Sequence, residues 1–135
     1  NRLLQKVQAL NEGGLETKQL VEAIKSYISE NIYYDLSRET IAEQLKYHPD
    51  HLSRVFKKAT GETLINYIQN EKIKTAIYLF KETNLSVSQV ADRLGYTNFS
   101  YFSQLFKQKT GYTVREYKRK YLNKTDGDNA ADLLR

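Results

Sequence analysis

Two polar segments, fifty residues apart, carry side chains whose chemistry suits the edges of nucleic-acid bases. Arg54 and Gln104 occupy matching places in these segments. An arginine can bind guanine through two parallel hydrogen bonds, and a glutamine can bind adenine in the same way. Arg54 has an alternative partner in Asp50, four residues earlier, with which it would form a surface ion pair. The candidates for contacts to bases or to a groove also include Asp50, His51, Ser53, Asn98, Phe99, Ser100 and Ser103.

These candidates differ in the contact that each can make. The hydroxyls of Ser53 and Ser103 suit phosphate oxygens better than base edges. The Asp50 carboxylate would repel phosphate unless it accepts a hydrogen bond from the amino group of cytosine, so we expect it to tune selectivity. Phe99, if it is half exposed, can touch a thymine methyl group. His51 fits a contact to phosphate or base, and it fits a solvated surface position equally well.

The positive charge of the chain lies in its middle part. Residues 35–122 carry 15 basic and 9 acidic side chains, a net charge of +6, whereas residues 1–34 are balanced and residues 123–135 carry a net charge of −1. A basic domain favours an anionic partner, with nucleic acid ahead of a membrane surface. We therefore expect contacts to phosphate from Lys57, Lys58, Lys107 and Lys109. The alternative for each of these lysines is that it is only solvated.

Other chemistries find little support in the residue types. The absence of cysteine excludes disulfides and cysteine-based metal sites or nucleophiles. The two histidines, His48 and His51, lack a third ligand in a metal-binding pattern. The sequence contains no Gly-x-Ser-x-Gly motif, no phosphate-cradling glycine-rich loop and no apolar run near the ~18 residues of a membrane helix. We therefore expect no enzyme, no cofactor, no metal site, no membrane contact and a cytoplasmic location.

An internal repeat determines where the candidate side chains lie. Residues 36–47 match residues 85–96 at an offset of 49, and residues 52–67 match residues 102–117 at an offset of 50. The two blocks therefore represent two copies of one small helical unit. The 11 tyrosines suggest stacking on single-stranded bases, but packing explains better the four that recur at matching positions, which are Tyr47, Tyr67, Tyr96 and Tyr117.

Each copy has the pattern of a helix, a short turn and a second helix. In the first copy, Ser37 suits the N-cap of a short helix, and Pro49 suits the first turn of the next one. The chain turns between them at residues 46–48, and Gly61 ends the second helix. Apolar spacing predicts a buried stripe on this second helix, formed by Leu52, Val55, Phe56 and Ala59.

The second copy repeats this pattern and is followed by a last helix. Ser86 with Gln89 and Thr113 with Glu116 form capping-box patterns, and Gly111 ends the helix between them. The predicted inward residues are Phe99, Phe102 and Phe106 in the second helix of this copy, and Val114, Tyr117 and Tyr121 in the last helix. A helix, a turn of three or four residues and a second helix is the helix-turn-helix arrangement.

A long helix over residues 64–80 connects the copies, and an amphipathic helix over residues 20–28 precedes the first one. The connecting helix is roughly 25 Å long, which is compatible with two helices that read one face of DNA about 34 Å apart. We place the double helix-turn-helix domain at residues 17–122. Residues 1–16 are expected to be a linker or the end of a preceding domain, and residues 123–135 a flexible tail.

The second copy reads Leu85-Ser86-Val87-x-x-Val90-Ala91-x-x-Leu94-Gly95-Tyr96-x-Asn98-x-Ser100-Tyr101-Phe102-Ser103-x-x-Phe106-Lys107-x-x-x-Gly111-x-Thr113. This pattern closely resembles the C-terminal signature of AraC/XylS-type transcriptional regulators, and the resemblance extends over residues 20–121. The chain departs from the family at Lys72, where arginine is usual, and at Val114, where proline is usual.

The resemblance implies an all-α, seven-helix domain of two homeodomain-like helix-turn-helix units joined by a long connecting helix. It also implies sequence-specific binding of double-stranded DNA, with the recognition helices at residues 49–60 and 98–110 in successive major grooves. Family members usually activate transcription by contacting RNA polymerase, and they carry a sensor or receiver domain. We expect such a domain on the N-terminal side of this chain, and we expect this fragment alone to be monomeric. The alternative is a helical module that binds only protein, whose binding would depend much less on salt.

Overall fold

The computed structural model describes residues 17–124, and in this part of the chain all regular structure is α-helical. Contacts divide it into unit 1, residues 17–32 and 36–71, and unit 2, residues 33–35 and 72–124. The seven helices are α1 (Thr17–Glu30), α2 (Arg38–Leu45), α3 (Pro49–Thr60), α4 (Leu64–Glu82), α5 (Val87–Arg93), α6 (Phe99–Thr110) and α7 (Val114–Tyr121). The predicted fold class is confirmed, while residues 1–16 and 125–135, the predicted linker and most of the predicted tail, lie outside the described residues.

Unit 1 contains the first helix-turn-helix, formed by α2 and α3, with α1 packed against both. Residues 64–71 of α4 belong to the same unit. The Phe56 ring is fully buried and meets the edge of the Tyr67 ring at a centroid distance of 5.3 Å. Tyr47 and Tyr67 pack against this core, as predicted. The buried residues are Leu20, Val21, Ala23, Ile24, Ile28, Ile41, Ala42, Leu45, Leu52, Phe56, Leu64 and Ile68.

One residue of the predicted stripe in α3 is exposed. Leu52 and Phe56 are buried and Val55 is half-buried, but Ala59 lies on the surface. Ala59 is one residue from the end of α3, where α1 leaves an open depression whose lining includes Ala59 and Val21. The periodicity of a helix predicts which side faces a neighbour, but it does not predict where that neighbour stops covering it.

Unit 2 contains the second helix-turn-helix, formed by α5 and α6, with α7 packed on α6. The Phe106 ring is fully buried and meets Phe80 and Tyr117 edge to face at centroid distances of 5.9 and 5.6 Å. Tyr96 and Tyr117 pack against this core, as predicted. The buried residues are Ile73, Ala76, Leu79, Phe80, Val90, Ala91, Leu94, Phe102, Leu105, Phe106 and Val114.

Two aromatic residues predicted to face inward in unit 2 are exposed. Phe99 is 39% exposed, which agrees with the alternative prediction that it is half exposed, and Tyr121 is 53% exposed. Phe99 is the first residue of α6 and Tyr121 is the last residue of α7, so each lies at the end of its helix. Tyr121 packs instead against the rings of Tyr117 and Tyr112, at centroid distances of 4.8 and 5.6 Å.

Side chains begin the short helices as the sequence predicts. Ser37 accepts a hydrogen bond from the backbone N–H of Thr40 at 3.1 Å, and Pro49 lies in the first turn of α3. Complete capping boxes begin α5 and α7, each with two reciprocal hydrogen bonds. Val114, which replaces the proline usual in the family, is buried beside its box, so α7 begins normally without the ring.

Lys72 is the unexpected residue of unit 2, because only 4% of its surface is exposed. Its Nζ donates to the backbone oxygens of Leu94 at 2.5 Å and Tyr34 at 2.6 Å. Burial lowers the pKa of Lys72 to about 8, and the charge of Asp35 opposes this shift. At Gly95, which has φ of +85°, a Cβ would lie 3.4 Å from the backbone of Tyr34 and Asp35. Lys72 thus ties the turn between α5 and α6 to residues 33–35.

Lys124, which the sequence analysis places in the tail, contacts the end of α4. Its Nζ donates to the backbone oxygens of Phe80 and Thr83, the latter at 2.7 Å. Carbonyls at a helix C-terminus lack partners within the helix, and a lysine there satisfies them and complements the helix dipole. Within residues 17–124, each helix is too short or too polar to cross a lipid bilayer.

Candidate nucleic-acid interface

The N-terminus of α3 is fixed by backbone and side-chain bonds. His48 accepts from the backbone N–H of Asp50 through Nδ1 at 3.2 Å and so caps the helix. The carboxylate of Asp50 pairs with Arg38, with Nη1 and Oδ1 at 2.9 Å. Arg54 donates from Nε to the backbone oxygen of Asp50 at 3.4 Å. The Asp50 carboxylate, which we considered as a partner for Arg54, therefore pairs with Arg38. The Arg54 side chain instead contacts the backbone of its own helix.

The other predicted contacts of α3 lie on or near its outward face. His51 is exposed, and its ring stacks on Tyr47 with centroids 5.8 Å apart and an interplanar angle of 18°. Ser53 is half-buried, whereas Lys57 and Lys58 are exposed in the last turn. Stacking on Tyr47 restricts the orientation of the His51 ring, so fewer positions of a partner can be reached by its nitrogens.

A depression of about 650 Å³ lies beside α3 within unit 1. It brings four predicted contacts together, Ser53, Arg54, Lys57 and Lys58. It also contains four residues that the sequence did not predict as contacts, which are Arg38, Thr63, Leu64 and Ile65. Arg38 is close to α3 only through the fold. Ile65 is 60% exposed, which the apolar pattern of the sequence did not indicate.

In unit 2, the first turn of α6 carries the predicted contacts Asn98, Phe99 and Ser100, all exposed. Asn98 is the N-cap, and its Oδ1 accepts from the backbone N–H of Tyr101 at 3.0 Å. The amide nitrogen of Asn98 remains the group that can donate outward. Tyr101 is 46% exposed beside them and was not predicted as a contact.

The remaining candidates follow along α6. Gln104 and Lys107 are exposed, while Ser103 and Lys109 are half-buried. Gln104 follows its N-cap by six residues, and Arg54 follows His48 by the same number. The structure therefore places Arg54 and Gln104 at equivalent positions of two similar helices, as the repeat predicts.

Both candidate helices also end in the same way. The Thr60 and Thr110 hydroxyls donate to the backbone oxygens of Phe56 and Phe106, each at 2.8 Å. The next residue in each copy is a glycine with positive φ, +79° at Gly61 and +84° at Gly111, whose N–H bonds back into the last turn. Each helix is therefore twelve residues long and ends at the same kind of cap.

The described residues offer no alternative metal chemistry. Between residues 17 and 124, no group of three or more histidine, cysteine, aspartate or glutamate side chains could hold an ion. His48 already uses Nδ1 for the cap of α3. The Glu116 pKa is lowered, because its carboxylate accepts from Thr113 in the capping box, so this acid serves a helix start.

Known proteins resemble this chain in both sequence and fold. A family model described as a helix-turn-helix domain matches residues 41–120. The chain is 35% identical over 99 residues to the bifunctional transcriptional activator/DNA repair enzyme AdaA of Bacillus subtilis, which covers 73% of this chain and 47% of that protein. It is 32% identical over 105 residues to the HTH-type transcriptional regulator YijO of Escherichia coli, covering 78% and 37%. The chain thus spans less than half the length of these relatives.

Solved structures agree with this similarity. The C-terminal domain of AraT, a response regulator from Geobacillus stearothermophilus, superposes with a TM-score of 0.73 at 31% identity, covering 76% of this chain and 86% of that domain. The DNA-binding domain of the global transcriptional factor AdpA, solved with a target DNA, superposes with a TM-score of 0.69 at 20% identity, covering 75% and 91%. The second likeness concerns the fold alone.

Proposed function

The chain belongs to the AraC-type family of helix-turn-helix, DNA-binding transcriptional regulators, and from this premise we propose that α3 and α6 are recognition helices that enter successive major grooves of double-stranded DNA. One observation carries the proposal. Both helices bury equivalent phenylalanines, Phe56 and Phe106, and expose polar residues at equivalent outward positions, Arg54 and Gln104. A major groove admits an α-helix and presents a distinct hydrogen-bonding pattern for each base pair.

The roles of individual residues follow from their positions and chemistry. Arg54 would bind guanine and Gln104 adenine, because their side chains can each form two hydrogen bonds with these bases. The first-turn residues of each helix would contact base edges or the groove wall, and these are Asp50, His51, Asn98, Phe99 and Ser100. The phosphate contacts that position the domain would come from Ser53, Ser103, Lys57, Lys58, Lys107 and Lys109.

In the cell, this domain would regulate transcription as an activator that contacts RNA polymerase. We place it in the cytoplasm, as a DNA-binding fragment without enzymatic activity or cofactor. It would act within a longer regulator whose N-terminal sensor or receiver domain supplies the signal, because the chain spans less than half the length of AdaA and of YijO. Taken alone, the fragment would bind DNA as a monomer, because it contains two recognition helices. A reporter gene fused to the selected site would distinguish activation from repression.

The first test is selection from a random duplex library, followed by measurement of affinity against salt concentration. We expect two short conserved blocks about one helical turn apart, and affinity that falls steeply with salt as phosphate counterions are released. A single block would mean that one unit reads bases while the other contacts only the backbone. No enrichment, with weak binding at every salt concentration, would contradict the proposal and favour a module that binds protein.

A second test removes the strongest proposed base contact. We expect Arg54→Ala to weaken binding to the selected duplex by about 1–3 kcal/mol and to relax the base preference at one position. Arg93→Ala, which removes an exposed arginine at the end of α5, is the matched control. Unchanged affinity and unchanged base preference in Arg54→Ala, measured by fluorescence anisotropy on all single-base variants of the site, would refute this assignment.

A further inference from the structure

The contact between Arg38 and Asp50 joins the two helices of the first helix-turn-helix at their N-termini. Arg38 is the first residue of α2, and Asp50 is the second residue of α3. Their closest atoms, Nη1 and Oδ1, are 2.9 Å apart, which is the distance of a charge-assisted hydrogen bond. Arg38 Nε also pairs with Oε1 of Glu39 at 3.2 Å. Both carboxylates raise the pKa of the guanidinium, so Arg38 stays charged in this pair.

Asp50 lies where a free carboxylate is unfavourable for a DNA-binding helix. It is in the first turn of α3, one turn before Arg54 and next to His51. A negative charge there repels the phosphates that flank the major groove. The guanidinium of Arg38 offsets this charge and fixes the direction of the carboxylate. A carboxylate held in this way has one favourable partner among base edges, which is an exposed amino group such as N4 of cytosine.

The second helix-turn-helix has no counterpart of this pair. The repeat aligns Arg38 with Val87 and Asp50 with Ser100, and neither of these residues carries a charge. The pair is therefore not needed to build a helix-turn-helix unit in this protein. Both partners are exposed, and an exposed ion pair adds little to stability, so an effect on stability does not explain it either.

We propose that Arg38 is a specificity-determining residue that acts through Asp50. It positions and neutralises the Asp50 carboxylate, so that unit 1 selects a base pair presenting an amino group to the start of α3. Arg38 itself is a positioning residue and does not read a base. The inference rests on the proposed function, because it assumes that α3 lies in a major groove.

The test is a double-mutant cycle read out as base preference. The proteins are the wild type, Arg38→Gln, Asp50→Asn and the double variant, each measured on the duplex selected by the wild type and on all its single-base variants. Lys18→Gln is the matched control, because it removes an exposed cation from α1 in the same unit. Thermal unfolding of each variant, which we expect to be unchanged, separates loss of recognition from loss of fold.

We expect Arg38→Gln to reduce discrimination about tenfold at the same base pair that Asp50→Asn affects, and nowhere else. In the Asp50→Asn background, Arg38→Gln should have no further effect on that preference. Equal loss of affinity on all duplexes with base preference retained would overturn the inference and make Arg38 a phosphate ligand. An unchanged Arg38→Gln profile would also overturn it. If the wild type selects no duplex, the proposed function fails together with the inference.

Discussion

The two helix-turn-helix units share the residues that shape their backbones and differ in the residues on their outward faces. Both end their second helix with a threonine followed by a glycine of positive φ, and both bury one phenylalanine in the same place. On the outward face of the second helix, unit 1 has charged residues where unit 2 has uncharged ones, namely Asp50, Arg54 and Lys58 against Ser100, Gln104 and Gln108. Arg38 is matched by Val87, which packs against the core of unit 2. The residues that maintain the fold are thus shared by both units, while the residues on the outward faces differ.

The turns between the paired helices show how the surroundings of each unit alter one shared position. Lys46 in unit 1 and Gly95 in unit 2 are equivalent, and both have positive φ, +66° and +85°. At Gly95, the backbone of Tyr34 and Asp35 lies 3.4 Å from where a Cβ would be. A side chain with positive φ costs roughly 1–2 kcal/mol, and unit 1 tolerates this cost at Lys46. In unit 2, a Cβ would be in van der Waals contact with that backbone, which restricts the room for a longer side chain.

The largest effect should come from emptying either core. Phe56→Ala and Phe106→Ala each remove a fully buried ring, so we expect each to lower the free energy of unfolding by about 3–5 kcal/mol. Chemical denaturation measures this loss, and hydrogen exchange by mass spectrometry locates it. Exchange should accelerate most in the unit that carries the change. Ile65→Ala, at an exposed site, is the control. Equal acceleration of hydrogen exchange in both units would show that the two cores do not unfold separately.

The next effect tests a feature of unit 2, the buried Lys72, by its dependence on pH. Its pKa of about 8 in the folded protein lies below the ordinary 10.5, so between these values the unfolded chain binds more protons. Stability from this group is therefore present above pH 10.5 and is lost as the pH falls through 8. Relative to Lys72→Met, the free energy of unfolding of the wild type should rise by on the order of 2 kcal/mol between pH 8 and about pH 9.5.

Denaturation of both proteins across this pH range checks the sign. The neutral amine keeps two N–H donors, one for each of the carbonyls of Tyr34 and Leu94, so the contact survives loss of the proton. Lys81→Met, which removes an exposed lysine of the same helix, is the control. A wild type that loses stability against Lys72→Met as the pH rises would show that hydrogen bonding to the charged form outweighs burial.

The smallest effect comes from exchanging the turn residues. Lys46→Gly relieves a positive φ, so we expect a change within about 1 kcal/mol that favours the folded state. Gly95→Lys imposes that strain and has to fit a longer side chain beside the backbone of Tyr34 and Asp35, so it should destabilise by more than about 1 kcal/mol. Thermal unfolding of the two variants measures the asymmetry. Equal and opposite shifts would mean that the close backbone at Gly95 has no energetic weight.

Local signals in the sequence predicted much of this fold. The caps at Ser37, Ser86 and Thr113 and the stop signals at Gly61 and Gly111 depend on residues within one helical turn. Helical periodicity and the repeat identified the cores, because equivalent tyrosines and phenylalanines recur in both copies. These features could be predicted since the interactions that produce them connect neighbours in the chain.

Contacts between distant residues could not be predicted in the same way. Lys72 bonds to carbonyls 22 and 38 residues away, and a lysine in a helical pattern is ordinarily a surface residue. Arg38 finds Asp50 twelve residues later, because two helix starts meet in space. Periodicity also misplaced Ala59, Phe99 and Tyr121, since it describes a face of a helix and not the extent of its neighbour. The contacts to DNA stay predictions.

The shared stop signal has an evolutionary consequence. Among residues 17–124, apart from the glycine itself and its chain neighbours, no atom lies within 4 Å of where a Cβ would stand at Gly61 or Gly111. In the same part of the chain, the hydroxyl of the threonine before each glycine bonds only to backbone oxygens and to one backbone N–H of its own turn. The length of each helix is therefore set without reference to its outward side chains. Substitutions on that face can therefore accumulate in one copy without shifting the end of the helix that presents them, which allows the outward residues of the two copies to diverge.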